Sequence, residues 1–436
     1  MRARRTAYYD ELVLPASPAG EAARFFVLHL PQAGEQLRSW LGAESVDFLL
    51  ALGALASVEG RYLSIVSATW FDGCLIFTDA RSYNAIWEDE PFVDYVMPPG
   101  GDSVGLMRVA PRGRKRSTLD ICCGAGTQTL AAAAYSDRVV GVDLNPRALR
   151  FANFNAALNR IDNATFFLGD TYDPLDDAMF DAILANPPFV PWPLDDTQLL
   201  YRGGGARGDD VIARILAGAI ERLEPHGTLA IVADFANAAT LPERIAAWQG
   251  EARRTLIVLQ HTVSLLDYAE THAGHHPDPI DREIQTVRLL RHFADSNIET
   301  LDFGYIIQDG SLGPTHIMRT NAALNGPIHA DVADWFASQQ RLLVPEAAGD
   351  RLELAPGLRL VDLADRKSDG QVVTSCYVAP GPSSVQESSP VNRTAFALLI
   401  RAAAGSLRPR DVEGDDAIRE LVWLLDRGLL RLRAAQ

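Results

Sequence analysis

The spacing of apolar positions changes character along the chain. From Glu21 to Trp40 apolar residues recur at helical intervals, which predicts a helix, and Val46 to Ala56 predicts a second. Tyr62-Leu-Ser-Ile-Val66 and Cys74-Leu-Ile-Phe-Thr78 read as short strands, with Asp72-Gly73 as a turn signal between them. Helices followed by a small hairpin predict a winged-helix-like module over residues 1–94.

From Ser117 the pattern becomes short apolar runs separated by helical segments. The runs are Thr118 to Cys122, Val139 to Asp143, Ala164 to Leu168, Phe180 to Ala185 and Thr228 to Ala233. Parallel strands need crossover connections, so this order predicts a mostly parallel, doubly wound α/β sheet covered on both faces. Arg254 to Gln260 and Phe303 to Gln308 extend the sheet around a helix from Asp281 to Ala294, and the unit is expected to span 95–325. The chain is expected to separate after about residue 330. The stretch Ala379 to Pro390 is rich in Pro and Ser and reads as an exposed loop or linker. Arg393 to Ala404 and Asp416 to Leu425 are helical by spacing, Gly428 ends the second, and Leu429 to Leu432 is strand-like. A small C-terminal winged-helix-like module over 326–436 is the expectation.

With 436 residues the chain has room for two to three domains, and 47% hydrophobic against 22% charged residues is a globular composition. A net charge of -16 and a pI near 5.0 disfavour broad capture of a nucleic-acid backbone. The basic run Arg108, Arg112, Arg114, Lys115 and Arg116 reads as a solvated loop before a core strand. The four cysteines, Cys74, Cys122, Cys123 and Cys376, form neither a disulfide framework nor metal knuckles. Met1 to Glu11 lacks the apolar segment of a signal peptide, and no run of about 18 uncharged apolar residues suggests a membrane span. A cytoplasmic protein without membrane partners is expected.

The chemistry concentrates at strand ends. Leu119-Asp-Ile-Cys-Cys-Gly-Ala-Gly-Thr-Gln128 runs a strand into a glycine-rich turn that opens a helix. Gly124 and Gly126 let backbone approach a ligand, although tight-turn geometry alone also produces Gly-x-Gly. The Asp120 carboxylate is placed to take the ammonium of an amino-acid-bearing cofactor. Asp143 ends the next strand, where an acid accepts hydrogen bonds from both ribose hydroxyls of an adenosine-bearing cofactor. Asp170, after the third strand, is equally suited to an adenine amino group or to capping its own turn.

Asn186-Pro-Pro-Phe189 ends the fourth strand. The Asn186 amide oxygen and a carbonyl of the proline segment can each accept one N–H of a planar amine or amide, which aims the nitrogen lone pair. Pro187 and its neighbour hold that carbonyl still, and the Phe189 ring can stack on a flat substrate or lie near a sulfonium. In-line displacement gains chiefly from such alignment.

Asp120 to Gln128, Asp143-Leu-Asn-Pro146 and Asn186 to Phe189 together resemble the class I S-adenosylmethionine-dependent methyltransferases of the Asn-Pro-Pro-Tyr/Phe group, nearest to the protein N5-glutamine and small-domain methyltransferases. Tyr201-Arg-Gly-Gly-Gly-Ala-Arg-Gly-Asp209 and Leu223-Glu-Pro-His-Gly-Thr228 resemble bacterial members with an extra N-terminal domain. The resemblance covers about residues 20 to 310. It implies a Rossmann-like core and S-adenosyl-L-methionine lined by Asp120, Cys122, Gly124, Gly126, Asp143, Leu144, Asp170 and Asn186. Asn186, Pro187 and Phe189 would present an acceptor nitrogen, with Trp192, Tyr201 and Arg202 in the substrate pocket. Two departures stand out: Cys122-Cys123 precedes Gly124 where many relatives carry small residues, and Phe189 replaces a common Tyr and its hydroxyl.

The implied acceptor is a protein, a carrier-bound group or a small amino-acid-like molecule. The same tetrapeptide would also hold a nucleic-acid exocyclic amine, and cyclisation of the cofactor's aminobutyryl arm is a non-methyl alternative. Trp192 is equally accounted for by core packing, and Tyr95 to Ser103 by a lid or an interdomain loop. His261, His272, His275 and His276 lack a completing Cys or acid, so a metal is not expected and the segment reads as a solvated loop or, alternatively, as a substrate contact.

Overall fold

The computed structural model describes residues 6–51, 53–58, 60–80, 93–193, 200–273, 279–319, 327–342, 351–354, 359–366, 372–379, 389–426 and 429–433. Its centre is an eight-stranded sheet in the order β13-β11-β12-β10-β9-β6-β7-β8. The strands are β6 Lys115–Ile121, β7 Ser136–Asp143, β8 Ala164–Leu168, β9 Phe180–Ala185, β10 Leu223–Ala236, β11 Arg253–Val263, β12 Leu301–Leu312 and β13 Thr315–Arg319. Only β12 runs against its neighbours β10 and β11; the other pairs are parallel. The expected doubly wound Rossmann-like core is present, and two strands, β8 and β9, start and end where the sequence placed them.

The unbroken apolar runs follow from burial of both faces, since a pleated strand sends alternate residues to opposite sides. Leu229, Ile231 and Ala233 pack with Ile212, Ile215 and Leu216 of the helix Asp210–Arg222. Ala230 and Val232 pack on the other side with Leu106, Val109, Val332 and Trp335. The last two belong to the helix His329–Leu342, so residues just beyond 326 lie against the same sheet.

After β6 the chain moves to β7 and β8 on one side, and then returns to β9 and β10 on the other. The direction of winding therefore reverses between β6 and β9. Ligands of doubly wound sheets bind at such a point, outside the carboxyl ends of the strands.

The N-terminal expectations need correction. The single helix from Glu21 to Trp40 is two, Pro18–Phe26 and Gly34–Leu41, with β1 Gln32–Ala33 between them. Pro31 disfavours helical geometry at Leu30, and His29 takes a positive φ of 54°. The expected helix Val46 to Ala56 is Ala43–Ala51, and its tail becomes β2 Leu55–Val58. β2 pairs with β3 Arg61–Ser64, which pairs with β1. The expected strand Tyr62 to Val66 is divided between β3 and β4 Val66–Phe71, and it is β4 that forms a second hairpin with β5 Cys74–Asp79 through the anticipated Asp72-Gly73 turn, with positive φ at both residues.

That second hairpin is tied to the core by two side chains of one helix. Asn155, in the helix Pro146–Leu158, accepts from Phe77 N at 2.8 Å and donates to Phe77 O at 2.9 Å. Asn159, at its C-cap, does the same with Leu75 at 2.9 Å each way. Two strand residues advance about 6.7 Å and four helix residues about 6 Å, so the spacings match. Asp79, fully buried, adds a two-pronged ion pair with Arg147 at 2.9 and 2.6 Å.

The basic run is a loop only in its middle: Arg108 lies in the helix Gly101–Val109 and Lys115 and Arg116 open β6, while Arg112, Arg114 and Arg116 pair with Asp72, Asp137 and Asp181. At the C-terminal end the helices Arg393–Ala403 and Asp415–Asp426 and β18 Leu430–Arg433 lie within a residue or two of their expected positions and share a core with Leu352. Most of the Ala379 to Pro390 linker, and Gly428, fall outside the described residues.

Candidate active site

At the end of β6 the backbone turns through Cys122, Gly124 and Gly126, all at positive φ of 59°, 55° and 82°. A left-handed conformation at a non-glycine residue costs on the order of 1–2 kcal/mol, so Cys122 stores strain where glycine would not. A Cβ on Gly126 would stand 3.3 Å from Ala152 Cβ, whereas a Cβ on Gly124 would meet nothing within 4 Å. The turn is thus tight on its core side and open at Gly124.

Asp120 is 1% exposed, and its Oδ2 accepts from Thr129 N at 2.8 Å and Thr129 Oγ1 at 2.7 Å. Thr129 lies in the first turn of the helix Thr127–Ala133, so the carboxylate caps that helix. Burial outweighs these bonds and pushes the Asp120 carboxyl up to about 7. Asp143 takes one backbone N–H on each oxygen, Gly124 N at 2.7 Å and Asn145 N at 2.8 Å. Burial raises its pKa, and the two N–H groups work against that. Each oxygen keeps a second lone pair for a hydroxyl. Asp170 pairs with Arg214. Burial and then the charges of Asp143, Asp120 and Asp170 raise the Cys122 thiol, so these three strand-end acids gather about one turn. Leu144, beside them, is 56% exposed.

A second cluster forms at the end of β9. Asn186 Nδ2 donates to Asp102 Oδ2 at 2.9 Å and Ser103 Oγ at 3.4 Å, both from the helix Gly101–Val109. This fixes which way the amide points: its nitrogen is held from behind, leaving Oδ1 to accept. Pro187 is buried, and Phe189 packs against the main core and a smaller cluster with Trp192, Tyr268 and Phe293. Asp234 on β10 bonds Tyr268 OH at 3.1 Å, and burial with the nearby Asp102 charge holds its carboxyl up to about 6.

The glycine-rich loop after Leu200 wraps this segment. Val190 N donates to Arg202 O at 3.0 Å, Gly204 N to Val190 O at 2.9 Å and Trp192 N to Gly205 O at 3.0 Å. A Cβ on Gly204 would stand 2.8 Å from Pro188 O and Phe189 Cα, so this approach requires glycine. Tyr201 packs on Tyr95 at 5.4 Å between ring centroids. The Arg202 guanidinium lies 5.4 Å from the Trp192 ring centroid and reaches His272 Nδ1 from Nε at 3.2 Å and Nη2 at 3.0 Å.

The sequence-derived residues therefore fall into two groups: Asp120, Cys122, Gly124, Gly126, Asp143, Leu144 and Asp170 at one turn, and Asn186, Pro187, Phe189, Trp192, Tyr201 and Arg202 at the other. Among the described residues no cluster of three metal-ligating side chains occurs; the solvated-loop expectation fails for His261, which lies in β11 beside Phe303, and for His272, which ends the helix Leu265–His272, while His275 and His276 lie outside the described residues. Asp102 and Ser103 lie at the end of the segment Tyr95 to Ser103, expected as a lid or interdomain loop, but there they open the helix Gly101–Val109; Asp234 and Tyr268 were not assigned from sequence. Asp234 carried a usable signal, because it directly follows the apolar run Thr228 to Ala233, as Asp143 ends its own strand.

A doubly wound sheet with a glycine turn, a ribose-type acid and an Asn-Pro-Pro-Phe strand end defines a class I methyltransferase. The methyltransferase small domain family matches residues 103–241. A putative protein N5-glutamine methyltransferase of Methanocaldococcus jannaschii is 31% identical over 31% of this chain and 71% of its own. A ribosomal protein uL3 glutamine methyltransferase of Burkholderia pseudomallei is 30% identical over 47% of this chain and 71% of its own. A release factor glutamine methyltransferase of Deinococcus radiodurans is 35% identical over 33% of this chain, which spans about half the length of that relative (56%). Among solved structures, geranyl diphosphate C-methyltransferase of Streptomyces coelicolor has a TM-score of 0.31 at 14% identity, over 48% of this chain and 77% of that one. The chain belongs to the S-adenosylmethionine-dependent N-methyltransferases of the small-domain family, and S-adenosyl-L-methionine is its cofactor. The residues present are compatible with that molecule: there is open space at Gly124, each Asp143 oxygen accepts one backbone N–H and keeps a lone pair, and the Asp120 carboxyl ends the neighbouring strand.

Proposed function

We propose that this chain methylates the amide nitrogen of a glutamine-type side chain on a protein acceptor. The observation that carries the reading is the fixed orientation of Asn186, whose amide N–H is committed to Asp102 and Ser103. A carboxylate that accepts from an amide polarises it, so Oδ1 becomes a stronger acceptor for one N–H of the substrate. The Pro188 and Phe189 carbonyls lie against the glycine loop, so Pro187 offers the second acceptor. Two N–H groups held this way put the nitrogen lone pair on the line of displacement, and alignment of this kind supplies most of the acceleration. The cofactor, when bound, supplies an electrophilic methyl group; Asp143 and Gly124 would hold its ribose end and Asp120 its ammonium. The N-terminal and C-terminal modules would select the acceptor. No helix of the described residues is long and apolar enough to cross a membrane, and we place the reaction in the cytoplasm.

The test is methyl transfer from isotopically labelled S-adenosylmethionine to glutamine-containing protein, with N5-methylglutamine identified by mass spectrometry. Methylthioadenosine released from enzyme and cofactor alone would replace this reading with cyclisation. Label on nucleic acid instead of protein would replace the acceptor.

A further inference from the structure

Arg202 is a cation without a counter-ion among the described residues. Its Nε and Nη2 share one acceptor, the Nδ1 of His272, and no ion pair to it exists among the described residues. Burial, with the Arg202 charge adding to it, holds the His272 imidazole down to about 3, so this partner is neutral and compensates no charge. Burial also lowers the Arg202 guanidinium from its ordinary value. A planar guanidinium carries five N–H donors; the pair of nitrogens at its far edge retains Nη1, which bonds to nothing among the described residues. The Trp192 indole N–H on the same wall is buried and also lacks an acceptor among the described residues. A desolvated charge left unpaired is costly, whereas a fork held rigid by a stacked ring and a histidine is the arrangement that recognises a carboxylate with two parallel hydrogen bonds.

The wall stands next to the acceptor seat. The Arg202 carbonyl bonds Val190, the residue after Phe189. His272 stacks on Tyr268 at 4.2 Å, and Tyr268 bonds Asp234. Asn186 is bonded by Asp102 and Ser103 and Tyr268 by Asp234, whereas Arg202 brings a cation to His272.

We propose that Arg202 anchors a carboxylate of the acceptor, so that the substrate carries an acid next to the methylated nitrogen. The acid is either the α-carboxylate of a glutamine at a chain end or an acidic side chain beside an internal glutamine. The inference rests on the reading of Asn186 to Phe189 as the nitrogen's seat.

The experiment titrates the full chain, saturated with S-adenosylhomocysteine, by calorimetry. The probes are N-acetyl-L-glutamine, N-acetyl-L-glutaminamide and the blocked dipeptide acetyl-glutaminyl-glutamate amide. A charge-assisted fork predicts that a carboxylate-bearing probe binds wild type roughly 10-fold or more tighter than the glutaminamide. Which acid-bearing probe gains distinguishes the α-carboxylate from the side-chain source. Arg202→Gln should erase the difference, and Arg202→Lys, a point charge without the fork, should keep part of it. S-adenosylhomocysteine affinity should be unchanged in both variants, which shows that they fold. Equal affinities in wild type, a preference that survives Arg202→Gln, or no binding of any probe would overturn the proposal. A preference that vanishes in Arg202→Gln, together with no methylation of any probe when labelled S-adenosylmethionine replaces S-adenosylhomocysteine in a separate incubation, would support the carboxylate site and refute the nitrogen-transfer reading.

Discussion

The two halves of the active site are built differently, although both sit on carboxyl ends of one sheet. At the cofactor end, carboxylates are tied by near neighbours in sequence: Asp120 to Thr129 nine residues on, Asp143 to Asn145 two residues on and to Gly124 nineteen back. At the acceptor end the ties are long: Asn186 reaches Asp102 across 84 positions, and Arg202 reaches His272 across 70. The first half is a local motif that a strand, turn and helix define by themselves. The second exists only once the whole domain has closed.

That contrast predicts different responses to damage. Asn186→Ala should lower kcat by at least about 10²-fold, the scale of lost alignment or of one lost polar group, while calorimetric affinity for S-adenosylmethionine stays within about twofold. A variant that turns over normally would remove Asn186 from the mechanism. Asp143→Ala should act in the opposite sense, weakening cofactor binding roughly 10- to 100-fold with a smaller change in kcat at saturation. Asp102→Ala frees the Asn186 amide to rotate and should cost about tenfold in kcat, on the scale of one hydrogen bond to a charged group, and Asp102→Asn, which keeps a carbonyl acceptor, should recover part of it. Equal losses in the two Asp102 variants would argue for a role of its charge instead.

The smallest effect is a pH dependence. The Asp120 carboxyl sits at about 7 because it is buried, so it is largely neutral below that pH. An ammonium partner needs the ionised form, hence cofactor affinity should rise between pH 6 and 8 by at most about tenfold per unit, and Asp120→Asn should flatten the profile. Stability runs the other way. A carboxyl whose folded value is raised contributes its stability below the unfolded value near 3.9 and loses it as pH climbs through about 7. Chemical unfolding of wild type and Asp120→Asn across that range would check the sign.

The same contrast explains what the sequence disclosed. Asp120, Gly124, Gly126 and Asp143 were legible because apolar periodicity marks strand ends and the chemistry sits at those ends. Asn186 was legible for the same reason. Its partner Asp102 was not, since the residues before β6 carry no periodic strand and nothing local distinguishes one helix-starting acid from another. Tyr268 was hidden likewise, and His272 was singled out but misread as loop, because the pairing of the helix Leu265–His272 with β10 depends on tertiary packing. Asp234 could have been found: the rule that selected Asp143 selects it too. In the N-terminal region periodicity misled, since the apolar spacing of two short helices either side of Pro31 runs nearly in phase.

The grip of Asn155 and Asn159 on residues 75 and 77 has a consequence for how this protein tolerates change. Both asparagines hold main-chain N–H and C=O groups, so the joint is indifferent to which side chains those two positions carry. Substitution at residues 75 and 77 alone should leave these four bonds intact, with one exception: proline, which has no N–H to offer, would break them.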